Sequence, residues 1–478
     1  MKFIKLQNNL VGLGFQRPIY YKINNLLRRS SKMMKYIEEV YNGLVERFPE
    51  EKEFHQTAKE VLEALEPVIK ENEELYRKNA LLERMVTPER SIVFRVPWED
   101  DNGQIQVNTG YRVQFNGAIG PYKGGLRFHP SVKLGTMKFL AFEQTFKNSL
   151  TGLPIGGGKG GSDFNPMKKS DGEVRRFCES FMTELYRHIG PDTDVPAGDL
   201  GVSAKEIGYL FGQYRRIKGI YENGVITGKP RSFGGSLVRP EATGYGITYF
   251  LQEMLTDMGQ DIKGKTIALS GYGNVAWGAA KKMLELGAKV VTLSEAEGYV
   301  YMPEGMNQEM VDYMLVLRAD YSKTLKDYAK KFNLEYIEGK KPWERAVDII
   351  VPCATQNEIL TEEANTIVKN KVMIVCEGSN MPCTIEATEI IEKAGIPFGP
   401  SKAANAGGVA VSALEMSQNS ERIDWEPKEL EEKLHNIMKN IYKVSKEESV
   451  KYGISLAQGA NIAGFRKVAD AMLRQGMY

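Results

Sequence analysis

The fold is decided by Lys265-Thr-Ile-Ala-Leu-Ser-Gly271-Tyr-Gly273-Asn-Val-Ala276, in a chain of 478 residues. A short apolar strand leads into a glycine-rich turn, and a helical pattern follows as far as Leu286. Gly271 allows the tight turn, Gly273 lets a pyrophosphate approach the backbone, and the small Ala276 permits close helix packing. The helix N-terminus adds free N–H groups and a positive dipole. This strand, turn and helix predict a dinucleotide-binding unit.

The sequence on both sides of this unit continues the alternation of strands and helices. A helix is predicted over residues 244–258, and further strands are predicted over 289–293, 347–351 and 372–375. Alternating strands and helices favour a parallel, doubly wound sheet. We therefore predict a Rossmann-type nucleotide domain in the second half of the chain.

Two acidic residues indicate which dinucleotide binds. Glu295 and Glu297 follow the second strand, where the adenosine ribose of a dinucleotide is expected. A carboxylate at this place accepts a hydrogen bond from the ribose 2′-hydroxyl and repels a 2′-phosphate. NAD is therefore favoured as the cofactor. NADP is the alternative if a lysine or arginine from elsewhere offsets the repulsion between these carboxylates and the 2′-phosphate.

The first half of the chain has a different pattern. Two alternating segments, 91–97 and 104–115, are joined by an Asp-Asn-Gly turn and predict a β-hairpin. Helices are predicted over 133–150 and 172–189, with glycine-rich connections between them. At the far end of the chain, the helical segment 462–473 has an apolar face that must dock elsewhere. A mixed α/β first half is the expectation.

Composition and charge exclude several classes of function. The chain has 63 basic and 61 acidic side chains, so no strong field attracts nucleic acid or a membrane surface. No apolar run reaches the roughly 20 residues of a membrane helix. The four cysteines and four histidines lack the spacings of disulfide frameworks or metal sites. We predict no metal, no nucleic acid or membrane partner, and a reducing, cytoplasmic location.

The N-terminus has a separate composition. Residues 1–32 carry basic side chains and no Asp or Glu, whereas the next forty residues are rich in acidic helix formers. We interpret residues 1–33 as a dispensable basic extension. An organelle-targeting peptide and a structural arm are the alternatives.

Two glycine-rich stretches carry lysines in unusual settings. Residues 120–130 surround Lys123, and residues 153–163 surround Lys159. The second stretch fails as a phosphate loop, because position 153 is not glycine and Gly160 stands where Ser or Thr is required. Its glycines instead leave room for a substrate beside Lys159. A partly desolvated lysine near other cations has a lowered pKa and can act as a base.

Three further polar residues are candidates on weaker local grounds. Gln144 and Lys147 share one face of the predicted helix over 133–150, although solvated surface is the usual fate of such residues. Asp199 lies in a loop rich in proline and glycine, where a turn or a helix cap is the alternative to a functional role.

Together these segments resemble the small hexameric glutamate dehydrogenases, within the Glu/Leu/Phe/Val dehydrogenase family, from about Met34 to Tyr478. The most specific motifs are Gly120-Pro-Tyr-Lys-Gly-Gly-Leu-Arg-Phe-His-Pro-Ser131, Gly156-Gly-Gly-Lys-Gly-Gly-Ser-Asp163, Val195-Pro-Ala-Gly-Asp-Leu-Gly201 and Asn405-Ala-Gly-Gly-Val409. The bacterial NAD-dependent members look nearest, because Gly273-Asn-Val-Ala-Trp-Gly-Ala-Ala-Lys-Lys282 is similar to theirs.

The resemblance implies a role for each matching residue. Lys159 would activate the attacking water, and Asp199 would exchange protons with the substrate nitrogen. The other implied substrate-binding residues are Lys123 and Ser412 for the side-chain carboxylate, Gln144 and Lys147 for the α-carboxylate, and Gly198. The implied cofactor-binding residues are Thr243, Gly271, Gly273, Asn274, Ala276, Glu295, Asn380 and Asn405.

The resemblance also implies an architecture and partners. A substrate-binding and oligomerisation domain, residues 34–234 with about 456–478, would face a nucleotide domain formed by residues 235–455. The implied reactants are L-glutamate, 2-oxoglutarate, ammonium and NAD(P), and the implied assembly is a homohexamer. No insertion resembling the antenna of the animal enzymes precedes the C-terminal helix, so nucleotide regulation of the animal type is not expected.

Two other hypotheses compete with a glutamate dehydrogenase. An amino-acid dehydrogenase with an altered substrate would tolerate the loss of Lys123, because relatives acting on leucine, valine or phenylalanine carry an apolar residue there. A catalytically silent nucleotide-binding homologue would have lost Lys159 or Asp199, and both are present.

Overall fold

The computed structural model describes residues 33–320 and 322–477. The predictions for the basic extension therefore lie outside the described residues, apart from Met33. The described residues form two sheets enclosed by helices. The strands are β1 Arg90–Glu99, β2 Ile105–Asn116, β3 Tyr122–Phe128, β4 Gly156–Ser162, β5 Asp194–Gly198, β6 Thr266–Leu269, β7 Lys289–Glu295, β8 Gly298–Tyr301, β9 Glu335–Glu338, β10 Ile349–Val351, β11 Ile374–Cys376 and β12 Phe398–Gly399.

The helices fall into two groups along the chain. Those of the first half are α1 Lys35–Arg47, α2 Lys52–Ala64, α3 Glu66–Glu71, α4 Glu73–Lys78, α5 Leu81–Met85, α6 Leu134–Leu150, α7 Asp171–Leu185 and α8 Ala204–Lys218. Those of the second half are α9 Ala242–Asp257, α10 Asn274–Glu285, α11 Gln308–Ala319, α12 Leu325–Phe332, α13 Thr361–Lys369, α14 Ile385–Lys393, α15 Ser401–Ala404, α16 Gly407–Glu421, α17 Pro427–Tyr452 and α18 Leu456–Arg474.

The first sheet is mixed and has the order β1-β2-β4-β3-β5. The predicted hairpin is confirmed, since β1 and β2 pair antiparallel from Arg90 opposite Gln114 to Glu99 opposite Ile105. Strand β4 pairs antiparallel with β2 and parallel with β3, and β5 adds in parallel to β3. The glycine-rich stretches and the loop before Asp199 are thus strands, which the sequence did not indicate because glycine and proline are poor strand formers.

The glycines of these strands are required by close backbone approach. A Cβ atom on Gly124 would lie 1.6 Å from the carbonyl oxygen of Gly158, and one on Gly157 would lie 1.9 Å from Thr145 Oγ1. The two glycines beside Lys159 also face protein atoms rather than open space. Neighbouring strands and helix α6 therefore fill the volume that the sequence analysis reserved for substrate.

Gly124→Ala is expected to lower the melting temperature by about 5 °C or more, because overpacking a filled site costs about 1–3 kcal/mol. Gly212→Ala, in helix α8, is the matched control, since a Cβ atom there meets nothing within 4 Å. That control should be neutral or slightly stabilising, because glycine in a helix interior costs about 0.5–1 kcal/mol relative to alanine. Equal melting temperatures for Gly124→Ala and the parent protein would contradict the close approach.

The second sheet has the order β12-β11-β10-β6-β7-β8-β9. Its strands are parallel from β12 to β7, as predicted, while β8 and β9 continue antiparallel at one edge. Alternate residues of β6 enter different apolar clusters: Ile267 and Leu269 pack with helices α9, α10, α16 and α17, and Ala268 packs with α13 and α14. Helices cover both faces, so the doubly wound Rossmann-type prediction is confirmed.

The last two helices pack on different parts of the molecule. Leu430 and Leu434 of α17 lie in the apolar cluster of the second sheet. Ile462 and Phe465 of α18 lie instead in the cluster that α1, α2 and α6 form with the first sheet. The apolar face of the closing helix therefore returns to the first half of the chain, and the two-domain fold class is confirmed.

Candidate active site

A lysine and an aspartate meet across the central strand β3 of the first sheet, which lies between β4 and β5. Lys159 lies on β4 and is 6% exposed, and Asp199 directly follows β5. Their Nζ and Oδ2 atoms are 3.1 Å apart. Arg127 on β3 donates from Nε to the same oxygen at 2.8 Å. Gly198 ends β5 against the carbonyl of Val202, which a Cβ atom would approach to 2.5 Å.

The surroundings shift the pKa values of this pair in directions that suit acid–base chemistry. Burial lowers the pKa of Lys159 and outweighs the opposing effect of Asp199, with Arg127 and Arg112 lowering it further. Burial acts to raise the pKa of Asp199, but Lys159 and Arg127 outweigh it and the net shift is downward. The aspartate therefore stays ionised while the lysine can be neutral at a lower pH than in free lysine.

Lys123 lies at the base of a buried cationic pocket. It is 1% exposed, and its Nζ donates to Thr227 Oγ1 at 2.7 Å. Burial lowers its pKa well below the usual range, and Arg112, Arg239 and Lys229 act in the same direction against Glu415. The pocket is thus suited to an anion, which would favour the protonated form of Lys123.

Ser412 belongs to the same pocket through a residue that the sequence analysis did not single out. Arg239 donates from Nε to Ser412 Oγ at 3.0 Å, and both side chains are largely buried. Burial lowers the pKa of Arg239, and Glu415 opposes that shift. Neither Arg239 nor Thr227 carries a local sequence signal, because each meets its partner from more than a hundred residues away.

Helix α6 brings the remaining substrate candidates to the cleft. Lys147 donates to Asn405 Oδ1, which precedes α16. Burial lowers the pKa of Lys147 to about 8, with Lys159 acting in the same direction. Gln144 donates to Asn148 Oδ1 at 2.6 Å, and Asn148 donates to the carbonyl of Lys123 at 3.0 Å. The structure therefore places Gln144 and Lys147 of helix α6 around the same space as Lys123.

Asn405 also connects this space to the predicted cofactor site. Its Nδ2 donates to Asn380 Oδ1 at 3.0 Å and to the carbonyl groups of Gly378 and Ser379. These residues follow β11, at the carboxyl edge of the parallel strands, where ligands bind in doubly wound sheets. Hydrogen bonds of Asn405 thus link Lys147, a substrate candidate, to Asn380, a cofactor candidate.

The glycine turn after β6 fits a dinucleotide. Gly271 has a φ of +75°, which favours glycine, and its N–H donates to Ser294 Oγ at 3.1 Å. A Cβ atom on Gly273 would meet nothing within 4 Å, so its face is open to a ligand. Helix α10 begins at Asn274, whose Oδ1 accepts from Arg318. The open backbone and helix N-terminus provide the donors that a pyrophosphate requires.

The helices behind this turn are packed closely. Ala276 is fully buried, and a Cβ atom on Gly244 would lie 2.1 Å from the backbone nitrogen of Ala279. Thr243, at the start of α9, is in contact with the start of α16, since a Cβ atom on Gly408 would lie 2.5 Å from Thr243 Oγ1. Thr243 therefore lies close to Asn405 in the fold.

Glu295, the last residue of β7, and Glu297 lie in different environments. Glu295 accepts from the N–H of Leu325 at 3.1 Å and from the hydroxyl of Tyr336 at 2.9 Å, one bond on each carboxylate oxygen. Glu297 is exposed in the two-residue turn between β7 and β8. Each oxygen of the Glu295 carboxylate can accept a further hydrogen bond, so these two contacts fix its position without using up its acceptors.

The described residues, 33–320 and 322–477, contain no candidate metal site and no candidate membrane helix. No group of three or more His, Cys, Asp or Glu residues among them is arranged to hold a metal ion. None of the helices in these ranges combines the length and the apolar character needed to cross a membrane.

Fold and site together define a class: a two-domain, dinucleotide-dependent oxidoreductase with a buried cationic substrate pocket. A family model described as "Glu/Leu/Phe/Val dehydrogenase, dimerisation domain" matches residues 88–216, and one described as "Glutamate/Leucine/Phenylalanine/Valine dehydrogenase" matches residues 234–476. The chain belongs to the Glu/Leu/Phe/Val dehydrogenase family, as the resemblance predicted, and is an amino-acid dehydrogenase.

Individual relatives carry the similarity over nearly the whole chain. The NAD-specific glutamate dehydrogenase of Clostridium symbiosum is 58% identical over 449 residues, covering 93% of this chain and 100% of the relative. The NADP-specific glutamate dehydrogenase of Haemophilus influenzae is 54% identical over 429 residues, covering 89% and 95%. A solved glutamate dehydrogenase superimposes with a TM-score of 0.91 at 58% identity, covering 93% of this chain and 100% of that one.

Proposed function

We propose that this chain catalyses the reversible oxidative deamination of L-glutamate to 2-oxoglutarate and ammonium, with NAD as hydride acceptor. The observation that carries the proposal is the buried cationic pocket around Lys123, Arg239 and Ser412. A neutral amino-acid side chain would leave these cations desolvated and unpaired, which is costly, whereas a second substrate carboxylate pairs them. The names of the similar relatives support the same substrate.

Each candidate residue then has a chemical role. Lys123 and Ser412 bind the side-chain carboxylate, Gln144 and Lys147 bind the α-carboxylate, and the backbone at Gly198 borders the substrate nitrogen. NAD, when bound, would supply the acceptor for the hydride that leaves the substrate Cα. Neutral Lys159 takes a proton from the water that adds to the imino carbon. Asp199 exchanges protons with the substrate nitrogen, and Arg127 holds its carboxylate in place.

The cofactor is proposed to lie along the turn after β6, with its nicotinamide end near Thr243, Asn380 and Asn405. Gly271, Gly273 and Asn274 would line the pyrophosphate, and the buried Ala276 would let helix α10 pack closely behind them. Support comes from the open face of Gly273 and the free N-terminus of helix α10. Glu295 would receive the ribose hydroxyl.

NAD is expected to exceed NADP in kcat/KM for glutamate oxidation by about tenfold or more, since about 1.4 kcal/mol of repulsion of the 2′-phosphate suffices. Initial rates with both cofactors measure this, with Lys159→Ala protein as the blank. Glu297→Gln should lower the ratio several-fold, because it removes one exposed charge without changing shape. A preference for NADP would mean that other cations override both acids, and no rate with either would contradict the proposed function.

We further propose a homohexamer in which residues 34–234 with about 456–478 bind substrate and form subunit contacts, and residues 235–455 bind the dinucleotide. Supporting this, the family model over residues 88–216 is described as a dimerisation domain. Val93, Ile105 and Val107 also leave apolar side chains more than half exposed on the β1–β2 hairpin. Light scattering of the purified protein measures the assembly. The four described cysteines are unpaired, which agrees with a reducing, cytoplasmic location.

A further inference from the structure

We propose that Arg112 and Asp194, buried beneath the catalytic strands, are a positioning pair that orients Lys159 and balances the charge around it. Neither residue is among the substrate or cofactor candidates, and neither has a place in the reaction described above. The role rests on the proposed function, because it concerns the lysine that acts as the base.

The pair joins the strands that carry the site. Both side chains are 0% exposed. Arg112 Nε donates to Asp194 Oδ2 at 2.9 Å, Nη2 donates to Oδ1, and Nη1 donates to the carbonyl of Gly124 at 3.0 Å. The guanidinium of Arg112, on β2, is thereby hydrogen-bonded to two other strands. Its partners are Gly124, the residue after Lys123 on β3, and Asp194, the first residue of β5. A bidentate arginine–carboxylate pair fixes orientation as well as distance.

The same guanidinium lies under Lys159. In the pairing of β2 with β4, Arg112 is opposite Gly160 and the next residue is opposite Lys159. A Cβ atom on Gly158 would be 3.4 Å from Arg112 Nη2, and one on Gly160 would be 3.0 Å from Arg112 Cδ. The arginine side chain therefore passes beneath β4 at the two glycines that flank the catalytic lysine.

Buried ion pairs are often only structural. An electrostatic role toward Lys159 is distinguished by the direction in which each charge shifts the protonation of that lysine. The charged groups around Lys159 are Asp199 after β5, Arg127 on β3 and Lys147 on α6, with Arg112 of β2 acting from the opposite face of β4. Removing the charge of Arg112 alone leaves the buried anion Asp194, which favours protonated Lys159. Removing the charge of Asp194 alone leaves the buried cation, which favours neutral Lys159. General loss of stability cannot produce opposite shifts.

The test is kcat for glutamate oxidation at saturating substrate, measured against pH for Arg112→Gln, Asp194→Asn and the double variant. Because neutral Lys159 is the base, the rate rises with pH through its pKa. The rising limb should move to higher pH in Arg112→Gln, to lower pH in Asp194→Asn, each by about half a unit or more, and back toward the parent in the double variant. Single variants that are active but shift together, or not at all, overturn the proposal.

Lys138→Met is the matched control. Lys138 pairs with Glu51 at 2.7 Å, is 5% exposed and lies over the ring of Phe48, so its charge is placed against the segment between α1 and α2. Its loss should leave the rising limb at the parent pH whatever it does to the melting temperature. A shift of the limb in this control, equal to that of Arg112→Gln, would overturn the assignment to Arg112.

Arg112→Lys keeps the test decisive if a neutral variant fails to fold. Lysine retains the positive charge but cannot form the bidentate contact with Asp194. The rising limb of the pH profile should therefore stay at the parent pH, while kcat falls about tenfold or more and NADH binding is unchanged. A kcat equal to that of the parent would overturn the positioning role. Absence of turnover in the parent protein is a different result, since it contradicts the proposed function itself.

Discussion

Lys159→Ala should lower kcat for glutamate oxidation by about three orders of magnitude, within the range of about 10²–10⁴ that a positioned acid or base contributes. The reason is geometric, because Lys159 is the lysine whose Nζ lies 3.1 Å from Asp199, whereas the Nζ of Lys147 donates to Asn405. Asp199 keeps its bond to Arg127, so the site should not collapse.

The measurement compares kcat with NADH binding followed by fluorescence. Binding should be unchanged, since the nucleotide turn belongs to the second sheet. Lys205→Ala is the control, because Lys205 is an exposed lysine paired with Asp171 at 2.7 Å and should be active at the parent rate. In the parent protein, the rate should rise with pH and reach its plateau below the pKa of free lysine, because burial and Arg127 lower the pKa of Lys159. A Lys159→Ala protein with a tenth of the parent kcat would contradict its role as the base.

Lys123→Leu should reduce kcat/KM for glutamate by about 10³-fold, since leaving one partner of a buried charge pair unpaired costs about 2–5 kcal/mol. Leucine fills a similar volume, so packing changes little. The side-chain carboxylate of glutamate would meet an apolar group in a pocket closed to water, with only Arg239 and Ser412 remaining.

The same variant separates the proposed function from an amino-acid dehydrogenase of altered specificity. In that alternative, Lys123 makes no contact with the substrate, and glutamate turnover should change little. Lys205→Leu again controls for the loss of a lysine. The pH dependence offers a second check: burial lowers the pKa of Lys123 and a substrate carboxylate favours the protonated lysine, so glutamate affinity should weaken as pH rises.

Much of the fold follows from local patterns. The turn at Gly271 and Gly273, the strand before it and the helix after it were all predicted, because apolar periodicity and glycine placement are properties of adjacent residues. The hairpin of β1 and β2 and the helix that carries Lys147 were predicted for the same reason. Strands β3, β4 and β5 were missed, because their glycines form strands only when a neighbouring backbone occupies the space of the absent side chain.

The residues of the candidate site also fall into those that sequence motifs indicated and those that only the structure shows. Family motifs pointed to Lys159, Asp199 and Lys123, and the structure brings Lys159 within 3.1 Å of Asp199. No motif indicated that Arg127 binds Asp199, because the two are 72 residues apart in sequence. Arg239 meets Ser412 across 173 residues, and Arg112 meets Asp194 across 82.

The sequence alone therefore determined the Rossmann turn, the family and the chemical type of the principal residues. The tertiary structure decided which arginines surround the lysines, how deeply each lysine is buried, and that Glu295 is held by Leu325 and Tyr336. The physical reason is that propensity and periodicity act between neighbours along the chain. Desolvation and charge pairing depend on distances in space, and these exist only once strands from distant segments have packed together.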